Sequence, residues 1–163
     1  MRHGRAGSKE RWHGDDRLRP LTRRGRLEAE ALAERLGPLE VSRIVTSPFV
    51  RCVQTVEPLA SVLQLSVEAS GALEPDAGDA AVSLVRELAS STAPGRVVLC
   101  THRETIESLQ RALSDDRGGF SPDGAHEKGS VWMLRCEAGD VVSAAYLPPG
   151  GGDEEAAIGA RSR

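Results

Sequence analysis

Four histidines and an arginine-rich amino-terminal segment are the parts of this 163-residue chain that could carry chemistry. The histidines are His3, His13, His102 and His126, and none stands in the HxH, HExxH or HxxxH spacing that binds a metal ion. We therefore predict no metal site. A histidine outside a metal site can act as a nucleophile or as a general acid or base, and an adjacent arginine can bind an anion.

Positive charge is concentrated around His3. Residues 1–26 carry nine basic residues against three acidic ones, a net charge of +6, whereas the remaining 137 residues have a net charge of −9. Two interpretations fit this segment: a solvated basic arm, or a site for a phosphate or carboxylate, which arginine binds in a bidentate manner. Arginine outnumbers lysine 19 to 2 in the whole chain, so the identity of one basic residue decides little between them.

Composition excludes several functional classes. A net charge of −3 and an aromatic content of 3% argue against a nucleic-acid partner. The apolar runs are too short to span a membrane, and no secretory signal follows Met1. The three cysteines, Cys52, Cys100 and Cys136, form no CxxC pair and read as thiols of a cytoplasmic protein.

The elements that must position these residues alternate between helix and strand. Helices are predicted to begin near Thr22, at Ser47-Pro48, at Asp79 and at Thr105, and strands are predicted over residues 43–46, 65–69 and 96–101, with a hairpin over 130–136 and 141–146. This order predicts an α/β fold with a mixed, mostly parallel central sheet and helices on both faces. We expect one domain over residues 1–147, with a loop over 118–129, and a disordered tail over 148–163.

Ligands of such sheets bind beyond the carboxyl ends of the strands. His102 directly follows the strand predicted over residues 96–101, and Ser47 follows the strand over 43–46. We therefore predict a site at the carboxyl ends of these two strands, and His102 is its first candidate residue.

Four short motifs give the chain a family resemblance. Arg2-His3-Gly4 resembles the RHG signature of the histidine phosphatase superfamily, the phosphoglycerate mutase-like family, and residues 47–55, SPFVRCVQT, resemble its SPxxRxxQT helix start. Thr101-His102 stands where that family has its second histidine, and residues 19–25, RPLTRRG, resemble its LTxxG helix opening. The motifs extend in family order over about residues 2–113. They are most similar to the SixA-like branch, including the domains that follow a Nudix domain in some bacterial proteins.

The resemblance implies a covalent phosphatase mechanism. A neutral ring nitrogen of His3 would attack the phosphoryl group and form a phosphohistidine intermediate. Arg2, Arg51 and His102 would surround the phosphoryl oxygens and stabilise the charge of the transition state. Arg5 would be a further phosphate ligand, and no cofactor is implied.

The proton donor to the leaving group is a separate question. Many family members carry a glutamate between the second helix and the next long helix, and Glu74 lies in the corresponding stretch. SixA-like proteins often lack this acid, because a good leaving group such as phosphohistidine needs little protonation. Glu74 is therefore either the proton donor or a solvated loop carboxylate, with Asp76 and Glu104 as weaker candidates for the donor.

One feature departs from the family pattern. A buried strand precedes the RHG motif in the family, whereas Met1 immediately precedes Arg2 here. We therefore expect an incomplete amino terminus, a sheet without its first strand and a His3 without rigid support. Two functions stay open: a phosphatase acting through His3, or a non-catalytic phosphate-binding or regulatory module that keeps Arg2, Arg51 and His102 as an anion pocket.

Two substrate classes fit the enzyme. A small, open pocket suits the protruding side chain of a phosphohistidine protein. It also suits a small phosphate ester or nucleotide, with a Nudix domain as the partner that would supply it. A mutase is disfavoured, because mutases need additional structure around the pocket to retain and reorient their intermediate.

Overall fold

A computed structural model of the chain describes residues 1–114, 120 and 125–150. Three short strands form a parallel sheet in which β1 (Val41–Thr46) lies between β2 (Val67–Ala69) and β3 (Arg96–Cys100). An antiparallel hairpin of β4 (Val131–Glu137) and β5 (Asp140–Leu147) forms a second sheet. The predicted α/β fold with a final hairpin is confirmed.

The strands β1 and β3 are covered on both faces. This cover explains the nearly continuous apolar sequence of β3, whereas β1 has the exposed polar residues Ser42 and Arg43 near its start. Successive side chains of a strand point to opposite faces, so Ile44 packs in one core cluster and Val45 in the other. Helices α1 (Arg23–Leu36) and α2 (Val50–Leu63) cover the face of Ile44, and α3 (Gly78–Ala89) and α4 (Arg103–Leu113) cover the face of Val45. The prediction of helices on both faces is confirmed.

The ends of the helices show which local signals decide the structure. Thr22 caps α1 as predicted, because its hydroxyl accepts a hydrogen bond from the N–H of Gly25 at 3.1 Å. The prediction that Ser47-Pro48 begins α2 is wrong: the helix begins at Val50. The N–H of Ser47 donates to the carbonyl of Cys100 at 2.9 Å, so the backbone stays extended beyond β1 and turns into the helix later. Pro58 lies inside α2 and does not end it.

Residues 1–3 lie beside the end of β3, where we expected the first strand to be missing. Arg2 forms a parallel bridge with Thr101, and the amino group of Met1 donates to the carbonyl of Leu99 at 2.7 Å. On the other side, the N–H of Arg2 donates to the carbonyl of Ser130 at 3.0 Å. No strand precedes His3 in the described ranges, but residues 1–3 join the end of β3 to the start of β4. The expectation that His3 lacks rigid support is therefore wrong.

The remaining predictions concern the hairpin and the less regular segments. The hairpin is confirmed, and it turns at Ala138 and Gly139, between the two predicted strands, with φ values of 51° and 91° that suit a two-residue turn. Most of the loop predicted over residues 118–129 and the tail from residue 151 onward lie outside the described residues. None of the helices in the described part of the chain is both long and apolar enough to cross a membrane. The cytoplasmic location stays a prediction.

Candidate active site

His3 is buried at the end of the amino-terminal segment, and backbone hydrogen bonds hold it on both sides. Its N–H donates to the carbonyl of Thr101 and its carbonyl accepts from the N–H of Gly129, each at 3.1 Å. The ring Nδ1 lies 2.8 Å from the carbonyl oxygen of Gly4. We assign the ring proton to Nδ1, because a carbonyl oxygen can only accept. The Nε2 atom of His3 therefore keeps a free lone pair.

Glycines and a threonine bring three of the sequence motifs together around His3. A Cβ atom at Gly25 would lie 2.0 Å from the carbonyl oxygen of Arg5, so only glycine allows the RPLTRRG motif to approach the RHG segment. The N–H of Gly4 donates to the hydroxyl of Thr55 at 3.0 Å. Thr55 is the last residue of SPFVRCVQT, and it ties the RHG segment to α2.

His102 and Arg51 lie beside His3, as the family resemblance implied. The rings of His3 and His102 meet edge to face with their centroids 5.3 Å apart. The Nη2 atom of Arg51 lies 3.4 Å from Nδ1 of His102. The ring of Phe49 contacts both residues, with its centroid 4.7 Å from that of His102 and 4.6 Å from the guanidinium carbon of Arg51. These contacts hold the buried guanidinium of Arg51 next to the imidazoles of His3 and His102.

Both histidines are neutral at physiological pH. Burial lowers the pKa of His3 to about 3, and the charge of Arg51 reinforces this shift against the opposing hydrogen bond to Gly4. Burial and then Arg51 lower the pKa of His102, also to about 3. Neutral imidazoles beside fixed cations leave the pocket positively charged, which favours binding of an anion.

Arg2 completes this positive pocket. Its charge contributes to the lowered pKa of both His3 and His102, and its Nη1 donates to the carbonyl of His126 at 2.8 Å. The Nε–H groups of Arg2 and Arg51 are buried and have no hydrogen-bond partner among the described residues. A buried donor without a partner is costly, so these groups indicate a pocket that is built for an acceptor.

Two charged residues of the site were not predicted, and both lie in the irregular segment before α1. The carboxylate of Asp16 accepts from Nε of Arg19 at 2.8 Å and from Nη2 of Arg51 at 3.0 Å. Burial raises the pKa of Asp16, but the hydrogen bonds and charges of the two arginines outweigh it and lower the pKa overall. Arg19 stood in the RPLTRRG motif, which was read as a helix opening, and no sequence pattern marked Asp16.

Two predicted residues make other contacts. Arg5 is half exposed, and its Nε pairs with Oε1 of Glu28 at 2.7 Å. Glu74 accepts from both Nη atoms of Arg17, at 3.0 and 2.7 Å. The structure thus brings together His3, Arg2, Arg51 and His102, whereas Arg5 and Glu74 are engaged in ion pairs beside them.

Comparisons with known sequences agree with the motifs. A family model for the Histidine phosphatase superfamily (branch 1) matches residues 1–80. An 8-oxo-(d)GTP phosphatase from Mycolicibacterium smegmatis is 38% identical over 152 residues, which are 91% of this chain and 47% of the relative. The chain therefore spans about half the length of this curated relative.

Comparisons with solved structures agree with the fold. The protein histidine phosphatase SixA complexed with tungstate has a TM-score of 0.73 and 25% identity, covering 90% of this chain and 91% of that chain. A mycobacterial glucosyl-3-phosphoglycerate phosphatase in complex with VO3 has a TM-score of 0.69 at 19% identity, covering 89% and 94%. The relatives support phosphatase activity. Residues 1–80 match the histidine phosphatase superfamily, and the chain as a whole is similar to the SixA-like branch of that superfamily.

Proposed function

We propose that this protein is a phosphatase that acts through a phosphohistidine on Nε2 of His3. The observation that carries the proposal is the 2.8 Å contact between Nδ1 of His3 and the carbonyl oxygen of Gly4. This contact leaves Nε2 unprotonated in a pocket with Arg2, Arg51 and His102. A neutral, oriented imidazole beside fixed cations is the arrangement that nucleophilic attack on a phosphoryl group requires.

The proposed reaction has two steps. The lone pair of His3 Nε2 attacks phosphorus, the bond from phosphorus to the leaving group breaks, and its electron pair departs with the leaving group, which takes up a proton. Water then attacks the phosphorus of the phosphohistidine and loses one proton, which balances the proton taken up by the leaving group; the N–P bond breaks, and its electron pair returns to Nε2. Arg2 and Arg51 stabilise the negative charge on the phosphoryl oxygens in both steps.

We propose a small phosphate ester, with a nucleotide first, as the substrate, and a phosphohistidine protein as the second candidate. The 38% identity to the 8-oxo-(d)GTP phosphatase supports the nucleotide, and the 25% identity to SixA supports the phosphohistidine protein. A Nudix domain is the proposed partner that would supply the nucleotide. Its support is the resemblance of residues 2–113 to domains that follow Nudix domains.

Trapping of the phosphoenzyme tests the mechanism and ranks the substrates. The protein is mixed briefly with a nucleotide, an aryl phosphate or a phosphohistidine protein, each labelled in the transferable phosphoryl group, and is then denatured in alkali. We expect acid-labile label on His3, and faster labelling by the nucleotide than by the phosphohistidine protein. His3→Asn should abolish labelling and turnover, whereas His13→Asn, a substitution of an exposed loop histidine, should leave both unchanged.

Two results would contradict this proposal. Unchanged turnover by His3→Asn would exclude His3 as the nucleophile. Thermal stabilisation by inorganic phosphate without any labelling or turnover would favour the non-catalytic phosphate-binding module instead.

A further inference from the structure

The hydroxyl of Ser47 lies directly against the ring of His102. Ser47 is completely buried, and its Oγ is 2.8 Å from Nε2 of His102. Its N–H is bonded to the carbonyl of Cys100, which lies at the end of β3, two residues before His102. The ends of two paired strands therefore fix both partners, so the contact is set by the sheet.

The two nitrogens of His102 have different partners, and this difference determines the tautomer. Nδ1 lies 3.4 Å from Nη2 of Arg51. A guanidinium can only donate, so Nδ1 must be the unprotonated nitrogen. The ring proton is therefore on Nε2, where the hydroxyl of Ser47 accepts it. The free lone pair of His102 points toward Arg51, on the side where the phosphoryl group would bind.

An unprotonated Nδ1 has a consequence for phosphate binding. The three terminal oxygens of a phosphate-ester dianion carry no proton and only accept hydrogen bonds, so such a dianion would place lone pairs against the lone pair of Nδ1. A hydrogen bond between them needs one additional proton. The ring could supply this proton by changing its tautomer only if the hydroxyl of Ser47 reversed its role and donated to Nε2, and such a reversal would leave the proton uptake at zero.

We propose that Ser47 is a positioning residue that makes His102 take up a proton together with the phosphoryl group. The hydroxyl holds the ring proton on Nε2, a proton from solvent or from a phosphate monoanion forms an N–H bond at Nδ1, and the resulting imidazolium donates to a phosphoryl oxygen. No other bond is made or broken. This inference rests on the proposed function, in which this pocket binds the transferred phosphoryl group.

The groups that face His102 are consistent with this role. Charged or titratable side chains reach it from the amino-terminal segment, from the loop before α1 and from α2: Arg2, His3, Asp16, Arg19, Arg51 and Cys52. Among these, Asp16 supplies the one negative charge that acts on His102, and Asp16 is already bound by Arg19 and Arg51. A bound phosphoryl group would therefore add the negative charge that an imidazolium needs.

Calorimetry of sulfate binding tests the proposal without any turnover. Sulfate resembles the phosphoryl group in shape and charge, and unlike inorganic phosphate it has no proton of its own to donate to Nδ1. At pH 6, titrations in buffers of different ionisation enthalpy give the number of protons taken up. We expect a clear uptake, of at most one proton per sulfate, in the native protein. Ser47→Ala should reduce this number toward zero and weaken sulfate binding about ten- to a hundredfold, the value of one hydrogen bond to a charged group. Ser47→Thr, which keeps the hydroxyl, should restore the proton.

A second measurement uses the native protein alone and does not depend on the folding of a variant. The ¹⁵N chemical shifts of His102 should report an unprotonated Nδ1 in the free protein and two protonated nitrogens after sulfate is added. Cys52→Ala removes the sulfur 3.5 Å from Nε2 and serves as the matched control, which should keep the proton uptake. The proposal is overturned by zero uptake in the native protein, by native uptake in Ser47→Ala, or by a lack of sulfate binding. Trapping on His3 fails or succeeds independently of these results.

Discussion

The backbone of Glu74 contacts the helix that follows His102, but the carboxylate of Glu74 is bound to Arg17. The hydroxyl of Thr105, in the first turn of α4, donates to the backbone carbonyl of Glu74 at 2.8 Å. The carboxylate itself is held by two hydrogen bonds from Arg17. The two hydrogen bonds occupy both oxygens of this carboxylate, so the ion pair would have to open before Glu74 could act as an acid.

Substitution of Glu74 by Gln separates the two roles. Because Arg17 binds the carboxylate, we expect Glu74→Gln to slow hydrolysis of aryl and alkyl phosphates by the same factor, less than about tenfold. A general acid contributes about 10²- to 10⁴-fold, and mainly for the poor alkyl leaving group. Steady-state kcat/KM on both substrates measures the difference. A loss confined to the alkyl phosphate would establish Glu74 as the proton donor.

At the scale of elements, the segment before α1 connects several parts of the site. The short 3-10 turn Asp16–Leu18 contacts α2 through Asp16 and Arg51. The guanidinium of Arg17 lies 5.2 Å from the ring centroid of Phe49, next to its ion pair with Glu74. The carboxylate of Asp16 thus binds arginine donors that a phosphoryl oxygen could also use, and it lowers the positive charge of the pocket.

Removal of the Asp16 charge should therefore strengthen phosphate binding. We expect Asp16→Asn to lower the inhibition constant of inorganic phosphate severalfold at low salt, with a smaller effect at high salt because of screening. The matched control is Asp15→Asn, since Asp15 accepts from the N–H of Arg17 and has no contact with Arg51 in the structure described. Weaker phosphate binding by Asp16→Asn would instead mean that Asp16 is needed to orient Arg51.

These contacts also show how far the sequence could predict the site. The order of helices and strands followed from periodicity, and His3, Arg2, Arg51 and His102 followed from motifs that lie at the ends of those elements. The roles of Asp16 and Arg19 depend on how an irregular segment crosses α2, and no repeat pattern encodes that path. Ser47 was read as a helix start because its type suits a cap, but the sheet placed it against His102.

At the scale of the whole molecule, arginines of the basic amino-terminal segment form ion pairs with glutamates of the acidic remainder. Arg5 and Arg17, from the basic amino-terminal segment, pair with Glu28 and Glu74 of the acidic remainder. Arg2 contributes directly to the pocket. The interpretation as a solvated arm is therefore wrong for these three residues, and the segment supplies a positive site on a chain whose net charge is −3.

Burial of two neutral histidines couples the pocket to the stability of the whole fold. His3 and His102 have pKa values near 3 in the folded protein, against about 6.5 in an unfolded chain. Between these values the unfolded state binds more protons than the folded state, so the free energy of unfolding must fall as the pH is lowered through this range. Full stability from these groups is present above pH 6.5.

We expect acidification from pH 7 to pH 5 to remove up to about 2 kcal/mol of stability for each of the two histidines. Urea unfolding at several pH values measures this loss. His102→Asn removes one titrating group and should make the decline with pH about half as steep, whatever its effect on stability at pH 7. His13→Asn, on the exposed loop, is the control and should leave the slope unchanged. Parallel curves for the native protein and His102→Asn would show that His102 is charged in the folded state at pH 5.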